Sequence, residues 1–232
     1  MVSDIFGGET LELQSWCTPA TSYYEKQVGS FRIKRTFYPR GYYRNWGIDG
    51  YLFFHVNRRI PIMVLQEKRG GAWHSWMVDD PPQYRAMQIY CEQASGDVLC
   101  AGLGLGLMAH ELCKNKAVRR VVVIELNQEV ISLTSPYMPK KVEIVRDDFF
   151  SYIHKDTNHW GMILVDLWVS SGREEKLKLI GEVAPIAALL KITHPQSKIV
   201  FHGFTSFSDV SPILPNMIER ALKVEGELDS IR

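Results

Sequence analysis

Five residues near the middle of the chain, Gly102-Leu103-Gly104-Leu105-Gly106, directly follow the apolar run Val98–Ala101. Glycines at alternate positions let a backbone turn sharply and let a ligand reach amide groups without interference from Cβ atoms. Glu125 stands 21 residues after Gly104 and closes the apolar run Val121–Ile124. A carboxylate so placed accepts hydrogen bonds from both hydroxyls of a ribose. Asp147 and Asp148 end a third apolar segment, and Asp166-Leu167-Trp168 ends a fourth. An acid in the third place can accept from an adenine amino group. Asp166 is a candidate general base, and Trp168 a candidate wall for an acceptor pocket. Such a set suits an adenosine-containing cofactor with a base held beside it.

Spacing separates two such cofactors. A dinucleotide fingerprint, G-x-G-x-x-G/A, would put a small residue at position 107. Leu107 is there instead, and its bulk opposes the close packing that a pyrophosphate needs. Other chemistries lack their residues. The seven histidines show no ligand spacing for a metal, and Ser170 has no G-x-S-x-G surround.

These residues need elements to position them. From Gly96 onward, apolar runs alternate with helical segments, the pattern of parallel strands buried on both faces. The spacing predicts strands over Asp97–Ala101, Arg120–Glu125, Lys141–Val145, Gly161–Leu167 and Lys198–His202. Helices are expected over Leu107–Asn115, Gln128–Thr134, Arg173–Lys191 and Pro212–Lys223. The fold class is therefore α/β, a doubly wound Rossmann-like sheet over residues 79–232. Asp80 N-caps a helix ahead of it, with Pro81 in the first turn. Asp80-Pro81-Pro82-Gln83-Tyr84 differs by Gln83 from the D-P-P-Y loop of amino-group DNA methyltransferases, and it lies too close to the glycine loop for that permuted order.

Residues 1–78 are expected to form a small β-rich unit, with strands over Ser30–Tyr38, Gly50–Val56, Arg59–Gln66 and Ala72–Val78. The chain of 232 residues carries 27 Lys or Arg against 26 Asp or Glu, yet the balance is uneven. Between Lys26 and Ser75, ten basic residues face only Asp49 and Glu67, a local charge of +8 among ten aromatics. This stretch is either a solvated strand face or a surface for an anionic partner, nucleic acid included. The longest nearly apolar run, Val98–Ala109, has 12 residues, short of the roughly 20 needed to span a bilayer. The first ten residues lack the basic and apolar regions of a targeting peptide. Cys17, Cys91, Cys100 and Cys113 have no C-x-x-C spacing and read as reduced thiols of a cytoplasmic protein.

The segment from Trp76 to Gly203 resembles the class I S-adenosylmethionine-dependent methyltransferases, including their spermidine-synthase-like branch. Val98–Gly106 looks like the first cofactor motif, and Val123-Ile124-Glu125-Leu126-Asn127-Gln128-Glu129-Val130 is similar to V-x-E-L-D-P-E-V. Val145-Arg146-Asp147-Asp148-Phe149 resembles the G-D-A-F adenine motif, and Asp79–Met87 a D-E-x-x-Y-H-E-M lead-in. The resemblance implies S-adenosylmethionine as cofactor. Gly102, Leu103, Gly104 and Gly106 would meet its methionine part, and Glu125 and Leu126 its ribose. Asp147 and Asp148 would meet the adenine, and Asp166 the reacting end. Tyr84 and Trp168 would line the substrate side.

Two departures bear on the reaction. Spermidine synthases carry an Asp in the glycine loop where this chain has Leu105, and a second acid after the catalytic one, where Leu167-Trp168-Val169-Ser170 stands. A polyamine would also be repelled by the +8 unit. The expected activity is methyl transfer to a small or anionic acceptor. Aminopropyl transfer, nucleic-acid methylation and silent cofactor binding are the alternatives. Only 30 residues follow His202, so the acceptor site is expected to be completed by the N-terminal unit or by a second subunit of a homodimer.

Overall fold

A computed structural model describes residues 10–13, 15–47, 50–167 and 173–202. Trp168 and the expected helix Pro212–Lys223 lie outside the described residues. Among the described residues the N-terminal part holds seven strands: β1 (Thr10–Leu13), β2 (Lys26–Val28), β3 (Phe31–Tyr38), β4 (Gly41–Gly47), β5 (Gly50–Val56), β6 (Ile60–Arg69) and β7 (Ala72–Val78). They form two sheets. One is a four-stranded antiparallel sheet in the order β2-β3-β6-β7, and the other is three-stranded in the order β1-β5-β4. Phe31 and Ile33 alternate with exposed or half-buried residues along β3, so one face of the larger sheet is apolar and the other wet.

Helix α1 (Pro81–Glu92) joins this part to the rest. Asp80 caps it as expected, its Oδ1 accepting from the Gln83 amide at 2.9 Å. Then follow β8 (Gly96–Ala101), α2 (Leu107–Lys114), β9 (Val118–Glu125), α3 (Gln128–Thr134) and β10 (Val142–Arg146). The chain continues with α4 (Phe149–Ile153), β11 (Met162–Val165), α5 (Arg173–Thr193) and β12 (Lys198–Phe201). The last five strands make one parallel sheet, β10-β9-β8-β11-β12. After β10 the chain returns to the far side of β8, so the order reverses between β8 and β11. Open sheets bind ligands outside such a switch point.

Alternation along β8 explains the double cover. Val98 and Cys100 pack with α1, α2 and α3, whereas Leu99 and Ala101 pack with α4 and α5. The first of these cores is shared with the N-terminal sheets, because it also contains Tyr23, Phe31, Ile33, Met63 and Leu65. Asp79 reinforces the join. It is fully buried and accepts from the Thr18 hydroxyl at 2.5 Å and the Met63 amide at 2.6 Å. Its carbonyl accepts from the Trp16 indole at 2.7 Å. Among the described residues no helix is long and apolar enough to cross a membrane.

Burial pushes the Asp80 carboxyl up to about 6, with the neighbouring Asp79 adding to the rise. A folded-state value above the unfolded one means that the folded protein holds this proton more tightly. That contribution is complete below pH 4 and is lost as pH rises through 6, by roughly 3 kcal/mol. Asp80→Asn keeps a cap but removes the proton. Urea unfolding from pH 4 to 7 is expected to show the variant gaining on the wild type by that amount as pH rises.

Candidate functional site

The parallel ladder runs one residue beyond the strands at its C-terminal edge. The Gly102 amide donates to the Ile124 carbonyl at 2.9 Å, Asp166 to Ala101 at 3.0 Å and His202 to Val165 at 2.9 Å. Since Ala101 pairs with Ile124 and with Val165, and Val165 with Phe201, the next row across the sheet is Glu125, Gly102, Asp166, His202. Arg146 lies opposite Glu125 on β10. Neighbours in a parallel row point to one face. Here that face is the one covered by α1 and α2.

Gly102 has φ +93°, and a Cβ there would strike the Asp166 carbonyl oxygen. The glycine is thus required twice, by its dihedral and by the close approach of two strand ends. Glu125 organises the loop. Its Oε2 accepts from the Leu103 amide at 2.9 Å and its Oε1 from the Asn127 amide at 2.8 Å. Thr134 donates to the Gly104 carbonyl at 2.8 Å, and Tyr23 to the Leu105 carbonyl at 3.0 Å. Gly106, at φ +70°, caps α2. Leu105 and Leu107 are fully buried beneath it. Each Glu125 oxygen keeps accepting capacity beyond its one amide, since a carboxylate has about four lone-pair sites.

Met77, from the end of β7, lies over this loop. Its Sδ accepts from the Leu105 amide at 3.2 Å, and it fills the space beside Gly104. What remains is a cavity of about 10 Å³ bordered by Met77, Cys100, Gly102, Leu103, Met108 and Asp166. That is room for about one water.

The other residues singled out from sequence divide. Leu126 is 66% exposed beside Glu125, an apolar surface open to a flat ring. Asp147 is exposed, with Oδ1 accepting from the Asp148 amide at 2.8 Å. Asp148 is engaged as the N-cap of α4, accepting from the Ser151 amide at 2.9 Å. Tyr84 is buried, its hydroxyl donating to Glu111 on α2 and its ring edge-on to Trp16 at 5.7 Å. Asp166 is half-buried. Burial raises its carboxyl above the usual range, and His202 pulls it back.

Sequence reasoning missed Met77, Thr134, Tyr23 and His202. His202 alone gave a signal, as the last residue of an apolar strand. The pairing of Asp166 and His202 in one row required the strand order.

No family model matches the chain. It is similar over 127 residues to a polyamine aminopropyltransferase of Thermoanaerobacter sp. (strain X514), at 26% identity, covering 51% of this chain and 43% of that protein. Similarity to the polyamine aminopropyltransferase of Bacillus subtilis (strain 168) runs over 138 residues at 28% identity, covering 56% and 48%. The chain thus spans somewhat under half the length of the curated relatives it matches. Among solved structures, spermidine synthase from Thermotoga maritima aligns at 19% identity over 60% of this chain and 58% of that one, with a TM-score of 0.35.

Gly102→Ala is expected to cost about 2 kcal/mol or more, because the obstructing atom is backbone and cannot rotate away. Gly71→Ala is the comparison, with φ +83° but open space around it. It should cost only the dihedral strain, about 1–2 kcal/mol. Thermal unfolding of the two variants checks the difference.

Proposed function

We propose that this chain binds S-adenosylmethionine and transfers its methyl group to a small or anionic acceptor. The observation that carries this reading is the row Glu125–Gly102–Asp166 at the switch point. It brings a carboxylate with spare lone pairs, a glycine turn and a half-buried acid to three adjacent strand ends. Bound there, the cofactor supplies an electrophilic carbon on a sulfonium. Glu125 would accept from the ribose hydroxyls with its remaining lone pairs, and Leu126 would cover the nucleoside. Asp147 would accept from the adenine amino group. The amides of the glycine loop would meet the methionine end. In-line positioning supplies most of what this reaction needs from a protein.

Aminopropyl transfer is the second reading, favoured by the sequence similarity to polyamine aminopropyltransferases. Against it, the loop position expected to hold an acid is Leu105, fully buried, and Asp166 is followed by Leu167. The expectation of a nucleic-acid partner gains no support, and neither does that of a homodimer. Arg32 of the basic face is bound to Gln66 at 2.8 Å and lies over Trp73 at 4.1 Å, while Arg69 pairs with Glu67 at 2.6 Å. Arginines held this way suit a single small anion better than a phosphate chain.

Calorimetry with S-adenosylmethionine and NAD tests the cofactor. NAD is expected to bind at least about a hundredfold more weakly, a difference of roughly 2.7 kcal/mol. Glu125→Ala should lose about 1.5–3 kcal/mol of affinity for S-adenosylmethionine. Met77→Ala acts oppositely. It empties the space beside Gly104 and frees the Leu105 amide, so S-adenosylhomocysteine should bind at least about threefold more tightly, roughly 0.7 kcal/mol. Unchanged affinity in both variants would place the cofactor elsewhere. For the transferred group, decarboxylated S-adenosylmethionine with putrescine is expected to yield no spermidine above background. Methylthioadenosine release that depends on putrescine would establish the second reading instead.

A further inference from the structure

We propose that His202 is the proton acceptor of the acceptor half of the site, held in that role by Asp166. The inference rests on the cofactor reading above and goes beyond it by assigning a base and a substrate class. Three observations meet at this residue. His202 follows β12 directly and shares the terminal row with Asp166 on the neighbouring strand. Its Nδ1 is buried and has no hydrogen-bond partner, although an imidazole nitrogen left so costs free energy unless something pairs with it. Its ring stands edge-on to Tyr90 of α1, with centroids 5.9 Å apart. A ligand with a proton to give would satisfy that nitrogen.

Among the described residues, Tyr90 and Cys100 are ionisable side chains that lie about the pair of Asp166 and His202. Asp166 faces the ring from β11, Tyr90 from α1, and Cys100 of β8 lies close to Asp166. Burial pushes both the Tyr90 hydroxyl and the Cys100 thiol up to about 12, so they stay neutral at physiological pH. A carboxylate alone beside an imidazole favours the imidazolium. The step is then simple. The acceptor atom attacks with a lone pair, and its N–H or O–H bond breaks as or after it does so, leaving that bond's electron pair on the acceptor atom. The proton bonds to the imidazole, giving an imidazolium next to Asp166, and later leaves to solvent. The acceptor class that follows is a neutral amine, a heteroaromatic N–H or a phenol. A thioether or carboxylate has no proton to lose.

A panel of amines and phenols assayed with S-adenosylmethionine on the whole chain provides the test, with binding of S-adenosylhomocysteine measured beside it. Asp166→Asn is expected to lower kcat at least about tenfold, with a smaller change in KM. An unchanged kcat overturns the pairing. A wild-type protein that binds S-adenosylhomocysteine but methylates no amine or phenol of the panel overturns the proposal. If S-adenosylhomocysteine does not bind, the cofactor reading itself fails. Where a panel of amines and phenols shows methyl transfer, His202→Gln should lower kcat at least about a hundredfold. Its affinity for S-adenosylhomocysteine should stay within about twofold. An unchanged kcat would refute the role.

Discussion

The approach of β8 to β11 at Gly102 is the constraint on which the site depends. The two strand ends come so near that no side chain fits between them, and the Asp166 carbonyl occupies the space a Cβ would take. This contact holds Asp166 in register with Glu125 on one side and His202 on the other. A parallel ladder transmits that register without slack, because each amide bonds to a fixed carbonyl of its neighbour. The site is therefore an extension of the sheet. Its polar residues sit on strand ends, which are stiffer supports than loops.

Much of this was legible in the sequence. The five strands of the parallel sheet were readable because four contain an unbroken apolar run and β10 one broken only by Glu143. Gly102 and Glu125 were readable because their spacing follows from one strand–helix–strand unit. What sequence could not show was direction. Tyr84 fitted a lead-in motif, but its hydroxyl turns to Glu111, one helix away. Asp148 and Asp147 are adjacent acids at a strand end, and only the start of α4 distinguishes a helix cap from a free carboxylate. Met77 was one apolar residue in a strand, and nothing local marks a thioether that reaches the Leu105 amide 28 residues on. The strand β1 was also missed, since it pairs parallel to β5 across more than forty residues. Pairings of that kind leave no periodic trace.

In the basic aromatic stretch, several of the charges are held against rings. Arg32 stacks on Trp73, Arg59 on Phe37 and Arg69 on Trp76, at 4.1, 4.4 and 5.6 Å from the ring centroids. Each such pair satisfies charge and ring together on the wet side of a strand. The apolar face beneath takes Phe31, Ile33, Met63 and Leu65 into the shared core. Charge count alone would credit this surface with ten free cations. The packing leaves fewer, and Glu129 of α3 docks onto its β2–β3 turn by accepting from the Ser30 amide and hydroxyl at 2.9 and 2.8 Å.

The bonds made by residues 16–24 also set an order of events during synthesis. Thr18 awaits Asp79, Tyr23 awaits Leu105 and His110, and the Tyr24 amide awaits the Tyr137 hydroxyl, 113 positions later. On a ribosome that releases the chain from its amino end, this segment emerges before every one of these partners. The four-stranded antiparallel sheet, complete once residue 78 is out, must meanwhile keep Phe31 and Ile33 from other apolar surfaces while α1 and β8 are still being made. Long-range closure of this kind slows folding and lengthens exposure. The same stitching that seals the N-terminal strands onto the parallel sheet leaves the newborn chain with bonds that cannot close until residue 137 has left the tunnel.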